Sequence, residues 1–202
     1  MILCSIQSEA AYQAALNKGV LRADWDYIFL REEPAPYLWM AEKLSEKSPK
    51  PDERIVTPIW AWFQWRGKRK RRDLRYSGCG KRGEAMVRLT IEMPDERVLL
   101  SDFMNYNSVL MNDYIPDSEE DSERFDQEME RAGITYADLR DGTGDDEIRQ
   151  SFQAKIIQSW DKIFDIESIK TDYSDSEDQS IQAVMWEVKI SEIIKVERFI
   201  AR

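Results

Sequence analysis

The segment at residues 55–65, IVTPIWAWFQW, constrains the fold most strongly, because it is rich in β-forming residues and apolar on both sides. In an extended strand its central side chains divide between two faces, Ile59, Ala61 and Phe63 on one and Trp60, Trp62 and Gln64 on the other. Such a strand is either buried on both faces or carries one face that binds a ligand.

The segments around it alternate between strand and helix patterns. ILCSIQ predicts a strand, and SEAAYQAALNKG predicts a helix that Ser8 caps and Gly19 ends. Helix patterns are found in PYLWMAEKLSEK, SDFMNYNSVLMNDY and DDEIRQSFQAKIIQSWDKIF, and strand patterns in AMVRLTIEM and RVLLS. The closing segment, IQAVMWEVKISEIIKVERFI, is expected to form a strand, a short turn and a second strand. We predict an α+β fold, as a single domain over residues 1–202 with a helical acidic insertion at about 113–150.

The chain contains no histidine, which removes the usual neutral-pH base and the commonest metal ligand. Ser-His-Asp hydrolysis, Cys-His proteolysis and HExxH zinc chemistry are therefore excluded. Cys4 and Cys79 are far apart and form no CxxC motif, so a zinc site or a redox pair has no support. The start lacks a signal-peptide pattern and no apolar stretch approaches the length of a membrane span, so we expect a cytoplasmic protein with no membrane partner.

The net charge of −10 conceals an uneven distribution. Residues 66–75, RGKRKRRDLR, hold seven basic residues and one acid, a net of +6, so the rest of the chain carries −16. Residues 113–130 hold nine acids against Arg124. The basic segment fits a loop that binds nucleic-acid phosphates, or one that docks to an acidic partner or to the chain's own acidic stretch. Its candidate nucleic-acid-binding residues are Arg66, Lys68, Arg69, Lys70, Arg71 and Arg72.

Two other features suggest a ligand site. Ser5 and Gln7 share a strand face just before a helix N-terminus, although polar residues on an edge strand would look the same. Glu187 interrupts the apolar run VMWEVKI, where an unpaired buried carboxylate would be costly, so it should face solvent, a partner or a ligand cleft. On an edge strand with one wet face, this carboxylate would need no function.

The order of these elements resembles the ADP-ribosyltransferase fold, in particular the bacterial DarT-like toxins that modify nucleic acids. Ser5-Ile6-Gln7 and Gly19 match the spacing of the opening motif in those toxins, and Glu187 in WEVKISEIIKV fits their closing strand. The chain also resembles a bacterial family with a WTIQS-like start and IWAWxQW, DLR and VLLSD motifs. It is similar as well to the CmdT-like toxins of toxin–antitoxin–chaperone defence systems.

This resemblance implies a split, mainly antiparallel sheet of the ADP-ribosyltransferase type with flanking helices, and NAD as co-substrate without a metal. Glu187 would be catalytic, because one carboxylate can stabilise the oxocarbenium-like transition state without an imidazole. The residues implied to bind NAD are Ser5, Gln7, Trp60, Trp62, Gln64 and Arg75. Met185 stands where many arginine-modifying enzymes of this fold carry Glu or Gln, which argues against a protein arginine as acceptor. The basic segment then favours RNA or DNA as the acceptor. A protein antitoxin, with a chaperone, would be the partner.

Two alternatives belong to other functional classes. One is a non-enzymatic module that holds single-stranded nucleic acid with the basic loop and the tryptophan strand. The other is a nuclease in which Asp102, Asp113 or Glu187 binds Mg²⁺, although no compact carboxylate motif supports it.

Overall fold

A computed structural model describes residues 1–25, 34–69, 74, 79–167 and 178–202. The chain divides into two compact units. The first unit, which contains the main sheet, comprises Met1–Ser101 and Lys170–Arg202, and the helical unit comprises Asp102–Ile169. The predicted acidic insertion at about 113–150 falls inside the helical unit.

The first unit contains a six-stranded sheet in the order β5-β6-β3-β1-β4-β8. Its strands are β1 (Ile2–Ser8), β3 (Ile59–Gln64), β4 (Ala85–Glu92), β5 (Leu99–Asp102), β6 (Ile181–Met185) and β8 (Ile193–Ile200). The pairs β1·β3, β1·β4, β3·β6 and β4·β8 are antiparallel. The predicted α+β class and mainly antiparallel sheet are therefore confirmed. Strand β1 lies in the middle of the sheet, so the edge-strand interpretation of Ser5 and Gln7 is wrong.

A second sheet pairs β2 (Val20–Arg22) with β7 (Glu187–Lys189) in antiparallel fashion. The closing segment was expected to form two strands, but it forms three, because β6 ends at Met185 and β7 begins at Glu187. Trp186 lies between them, buried, and its Nε1 donates a hydrogen bond to the carbonyl of Ser48. This break moves Glu187 out of the main sheet and into the smaller one.

Among the described residues of this unit, the sheets are accompanied by the helices α1 (Glu9–Lys18) and α2 (Ala35–Lys47). Helix α1 begins and ends as its sequence predicts. The Ser8 hydroxyl accepts a hydrogen bond from the Ala11 N–H, and Gly19 ends the helix at a φ of +75°. The core is built on one face of the main sheet, and it includes Leu3, Ile59, Val87, Leu89, Ala183 and Met185 together with Tyr12, Leu21 and Val188.

The helical unit contains α3 (Phe103–Leu110), α4 (Glu119–Ala132), α5 (Tyr136–Asp141) and α6 (Asp146–Ser159), followed by a 3₁₀ turn at Trp160–Phe164. Each of the four helices begins at a polar side chain that accepts a hydrogen bond from the first turn, namely Asp102, Ser118, Thr135 and Asp145. The segment 145–164, expected to be one long helix, contains 14 residues of α-helix followed by the 3₁₀ turn.

Candidate functional site

The carboxylate of Glu187 is held by a guanidinium from the neighbouring strand. Glu187 and Arg22 are directly opposite each other in the β2·β7 pair. Arg22 places both Nε, at 2.9 Å, and Nη2, at 2.8 Å, on the same oxygen, Oε2. Among the described residues, nothing donates a hydrogen bond to the other oxygen, Oε1. The Glu187 side chain is 12% exposed, so one of its two oxygens is fixed while the other keeps its hydrogen-bonding capacity.

Arg22 is itself shared with a second carboxylate. Its Nη1 donates to Asp52 Oδ2 at 2.9 Å, and Asp52 also binds Arg54 through both of its oxygens. The hydrogen bond to Glu187 is the main cause that raises the pKa of Arg22, and the hydrogen bonds from Arg54 hold the pKa of Asp52 well below its usual range. The four side chains form a chain of alternating charge, and Arg54, 88% exposed, lies at its outer end.

The backbone at Glu187 is held from a different direction. Arg97 donates from Nη2 to the Glu187 carbonyl at 3.2 Å and forms an ion pair with Glu192 through Nη1. Because Leu21 and Val188 belong to the core, their neighbours Arg22 and Glu187 point away from it. The Glu187 carboxylate therefore lies on the outer side of the small sheet, with both its backbone and its side chain held in place.

Ser5 and Gln7 lie on the core face of the main sheet. Ser5 pairs with Leu89 and Gln7 with Val87, and both of these partners are fully buried. The Ser5 hydroxyl donates to the Trp60 carbonyl at 2.9 Å and accepts from Gln7 Nε2 at 2.9 Å. Ser5 is only 1% exposed, so the structure uses its hydroxyl internally and gives a ligand no access to it.

Trp60 and Trp62 lie on the opposite face of this sheet. Cys4 pairs with Trp62, so these two side chains share a face that Ser5, the next residue along β1, does not share. Both tryptophans are half-buried, and the Trp60 ring meets Tyr37 of α2 edge-to-face. The sheet therefore separates the two tryptophans from Ser5 and Gln7, and one nicotinamide ring cannot contact both pairs.

Gln64 departs from the predicted alternation as well. The register between β3 and β6 shifts between Trp62 and Gln64, so the alternation of faces is interrupted there. The Gln64 amide donates from Nε2 to the Gln179 carbonyl at 3.1 Å. Its contact is with the chain just before β6, which makes Gln64 part of the support for the following turn.

The basic segment begins in a tight hairpin turn. Trp65 and Lys68 exchange backbone hydrogen bonds, and the two residues between them have positive φ angles, +48° at Arg66 and +64° at Gly67. This is the geometry of a type I′ turn, in which a non-glycine residue costs about 1 kcal/mol. Hydrogen bonds from the Arg66 N–H to the Ser180 hydroxyl and from the Gly67 N–H to the Gln179 carbonyl hold the turn in place.

The side chains of this turn combine aromatic and cationic groups. The Trp62 and Trp65 rings meet edge-to-face with centroids 4.6 Å apart, and Arg66 and Lys68 are exposed. Arg69 is exposed as a residue too, but its guanidinium stacks 3.3 Å from the Phe63 ring centre, and the partial burial of that group lowers its pKa. The other predicted residues of the basic segment, Lys70, Arg71, Arg72 and Arg75, lie outside the described residues.

Sequence reasoning singled out Glu187 but missed its partners. Arg22 and Asp52 are 165 and 135 positions away from it, and nothing local in VLR or PDER marks either residue. The cost of burying an unpaired carboxylate predicts that a cation lies beside Glu187, but it does not identify the residue. The pairing of β2 with β7 places Arg22 opposite Glu187.

No group of three or more cysteine, aspartate or glutamate side chains within the described part of the chain is placed to hold a metal ion. No helix among these residues has both the length and the apolar character needed to cross a membrane. No curated protein and no solved structure matches the chain significantly. A family model described as "Domain of unknown function (DUF3841)" matches residues 2–194, nearly the whole sequence, and the chain therefore belongs to the DUF3841 family.

Proposed function

We propose that this protein is an NAD-dependent mono-ADP-ribosyltransferase that modifies RNA or DNA, with Glu187 as its catalytic carboxylate, and that it acts as a toxin in a bacterial toxin–antitoxin or phage-defence system. The observation that carries the proposal is the asymmetric use of the Glu187 carboxylate. Arg22 fixes one oxygen, and the other is left able to accept a hydrogen bond. The sequence resemblance to DarT-like toxins identifies the same residue.

The central chemical requirement of ADP-ribosyl transfer is a carboxylate held in a fixed orientation. Cleavage of the nicotinamide–ribose bond of NAD develops positive charge on the ribose, and an oriented carboxylate stabilises that charge. Oε1 of Glu187 would accept a hydrogen bond from a ribose hydroxyl, while Arg22 keeps the carboxylate in one orientation. The acceptor nucleophile then takes the ADP-ribosyl group, and nicotinamide leaves. A histidine is not required, which suits a chain that has none.

The type I′ turn supports a nucleic acid as the acceptor. It presents Arg66 and Lys68 next to the Trp62 and Trp65 rings, a combination that serves phosphate contacts and base stacking. The hydrogen bonds that Gln179 and Ser180 accept from the turn hold an arginine in a backbone conformation that arginine disfavours. A turn that merely reversed the chain would be served better by Asn-Gly, so the position of Arg66 favours a role for its side chain.

The assignment of the NAD-contacting residues follows from the two sheet faces. Ser5 is enclosed, so we assign no ligand contact to it. Gln7 and Trp62 are both partly exposed but lie on opposite faces, which makes them alternatives for the nicotinamide contact. NAD binding, measured as a thermal shift, should therefore be lost in one of the two variants Gln7→Ala and Trp62→Ala and retained in the other.

The decisive experiment incubates the purified protein with NAD labelled in its adenylate half and total nucleic acid. Label should enter RNA or DNA with the wild type and not with Glu187→Gln. Asp121→Asn is the matched control, since it removes a similarly enclosed, ion-paired carboxylate outside the candidate site. Expression of the wild type, but not of Glu187→Gln, should stop bacterial growth. Absence of transfer to any macromolecule, together with absence of NAD binding, would overturn the proposal.

The turn also supports a second candidate, a non-enzymatic module that binds single-stranded nucleic acid. This function needs the cations and rings of residues 62–68 and has no use for Glu187. It predicts binding that weakens steeply with salt and that Glu187→Gln leaves unchanged. The labelling experiment separates the two candidates, because only the enzyme transfers ADP-ribose.

A further inference from the structure

Strand β8 is the last strand at one end of the main sheet. Within the described part of the chain it pairs only with β4, and every one of its eight residues retains some exposure. Ile194 and Ile200 are large apolar side chains, 54% and 60% exposed. An edge strand of this length offers its backbone groups to another strand unless something covers them.

The direction of these backbone groups can be derived from the end of the strand. The Ala201 N–H donates to the Glu84 carbonyl, and the Ala201 carbonyl accepts from the Gly83 N–H, so Ala201 directs both groups toward β4. Backbone groups alternate along a strand, so Ile200, Arg198 and Val196 direct theirs away from β4. The regular pairing of β8 with β4 begins at Lys195, because the preceding residue, Ile194, is the extra residue of a β-bulge.

The charges on β8 select one way for two copies of the strand to pair. In an antiparallel pair about a two-fold axis at Val196, Lys195 of each copy lies opposite Glu197 of the other. An axis at Lys195, Glu197 or Arg198 would instead place that charged residue opposite its own copy, which is unfavourable. Only the axis at Val196 aligns opposite charges and also brings together the outward-facing backbone groups.

The neighbouring strand strengthens this arrangement. Arg88 of β4 is the cross-strand partner of Glu197, and its Nη2 lies 3.1 Å from Glu197 Oε1. Lys195 lies on the same face and reaches the same oxygen at 3.2 Å within its own chain. With the axis at Val196, each Glu197 would lie between Arg88 of its own chain and Lys195 of the other.

We propose that the protein forms a two-fold symmetric homodimer in which β8 of one copy pairs antiparallel with β8 of a second copy, centred on Val196, so that the two six-stranded sheets become continuous. The occupant of the open edge is a second copy of this chain because the edge is complementary to itself in both hydrogen-bonding groups and charge. This inference is independent of the proposed enzymatic function and would stand if that function failed.

Sedimentation velocity of the full-length protein over a concentration series tests the dimer. The wild type should dimerise. Lys195→Glu should raise the dimer Kd by about tenfold or more, because a glutamate at position 195 of each copy would lie opposite Glu197 of the other. Lys47→Glu is the matched control, an exposed lysine at the end of α2 with the same change of charge, and it should leave the Kd unchanged. Circular dichroism melting confirms that both variants remain folded.

The register is tested with a 1:1 mixture of ¹⁴N- and ¹⁵N-labelled wild type treated with a zero-length carbodiimide. This reagent joins a lysine amine to a carboxylate with loss of water, and mass spectrometry should find a mixed-isotope Lys195–Glu197 crosslink. A monomer at every concentration would overturn the inference. So would a dimer that lacks this mixed crosslink, or one that Lys195→Glu does not weaken.

Discussion

Two enclosed carboxylates, one in each unit, sit beside arginines and are used in different ways. Asp121 of the helical unit is 9% exposed, and both of its oxygens are occupied. Its Oδ2 accepts from the Tyr114 hydroxyl at 3.0 Å and from the Asp117 N–H at 2.9 Å, and its Oδ1 accepts from Arg124. Glu187 is 12% exposed, and the described residues occupy only Oε2.

The difference separates a structural carboxylate from an available one. Asp121 ties the loop at 114–117 to α4, and each of its two oxygens already accepts a hydrogen bond from the protein. Glu187 is oriented by Arg22 and keeps one acceptor oxygen in reserve. Enclosed polar groups in proteins are normally satisfied, so a half-satisfied carboxylate is where a ligand should be sought.

The largest effect should come from Glu187→Gln. The amide has nearly the same shape but no negative charge, so transfer of ADP-ribose should fall by roughly 1,000-fold, as when a key charge-stabilising group is removed. The melting temperature should change little, because the amide oxygen can still accept from Arg22. Single-turnover kinetics with labelled NAD measures the loss. Retained transfer in this variant would remove Glu187 from the mechanism.

Arg22→Gln should lower kcat by about 100-fold, because a carboxylate that is no longer held spends little time in the productive orientation. The KM for NAD should change much less, since the Arg22 guanidinium donates its hydrogen bonds to Glu187 and Asp52. Arg22→Lys should recover part of the rate, as it retains the charge but cannot place two donors on one oxygen. If Arg22→Gln and Arg22→Lys lose kcat to the same extent, and also lose melting temperature to the same extent, the ion pair is purely structural.

Asp121→Asn should act on stability instead of activity. The amide cannot accept all the hydrogen bonds that the carboxylate receives, and the unfolding free energy should fall by about 2 kcal/mol. The Asp117 N–H bond is the main cause that lowers the pKa of Asp121, so its stabilisation is present above the ordinary aspartate range and is lost as the pH falls below it. Urea unfolding at neutral and acidic pH should show a smaller acid loss in the variant.

The smallest effect is expected for Tyr114→Phe, which removes one hydrogen bond to Asp121 and should cost about 1 kcal/mol. Burial, followed by the bond to Asp121, raises the pKa of Tyr114 to about 12. Its contribution is therefore complete below the ordinary tyrosine pKa and is lost as the pH rises toward 12. Absorbance at 295 nm should show one fewer late-titrating tyrosine in the variant.

Local sequence signals predicted the ends of several elements well. Ser8 and Gly19 bound α1, and alternation in AMVRLTIEM gives β4, because caps and alternation depend on residues a few positions apart. The same reasoning failed at Trp186, where an apolar run that reads as one strand is divided between two sheets. A buried tryptophan that bonds to Ser48 is a tertiary contact that the local pattern does not contain.

The candidate site shows the same limit more sharply. Ser5, Gln7, Trp60 and Trp62 were grouped because each carries suitable chemistry, yet the pairing of Cys4 with Trp62 places them on opposite sides of one sheet. A shift of register by one residue would have placed them together. Composition and spacing do not encode that register.

Local signals in the sequence were enough to predict the α+β class, the helix caps, the unequal distribution of charge and the conspicuous position of Glu187. The tertiary structure was needed to show that Arg22 holds Glu187, that the sheet separates the tryptophans from Ser5, and that β8 pairs with β4 alone among the described residues. The reason is physical: caps and periodicity act over a few residues, whereas strand pairing joins residues as far apart as Arg22 and Glu187.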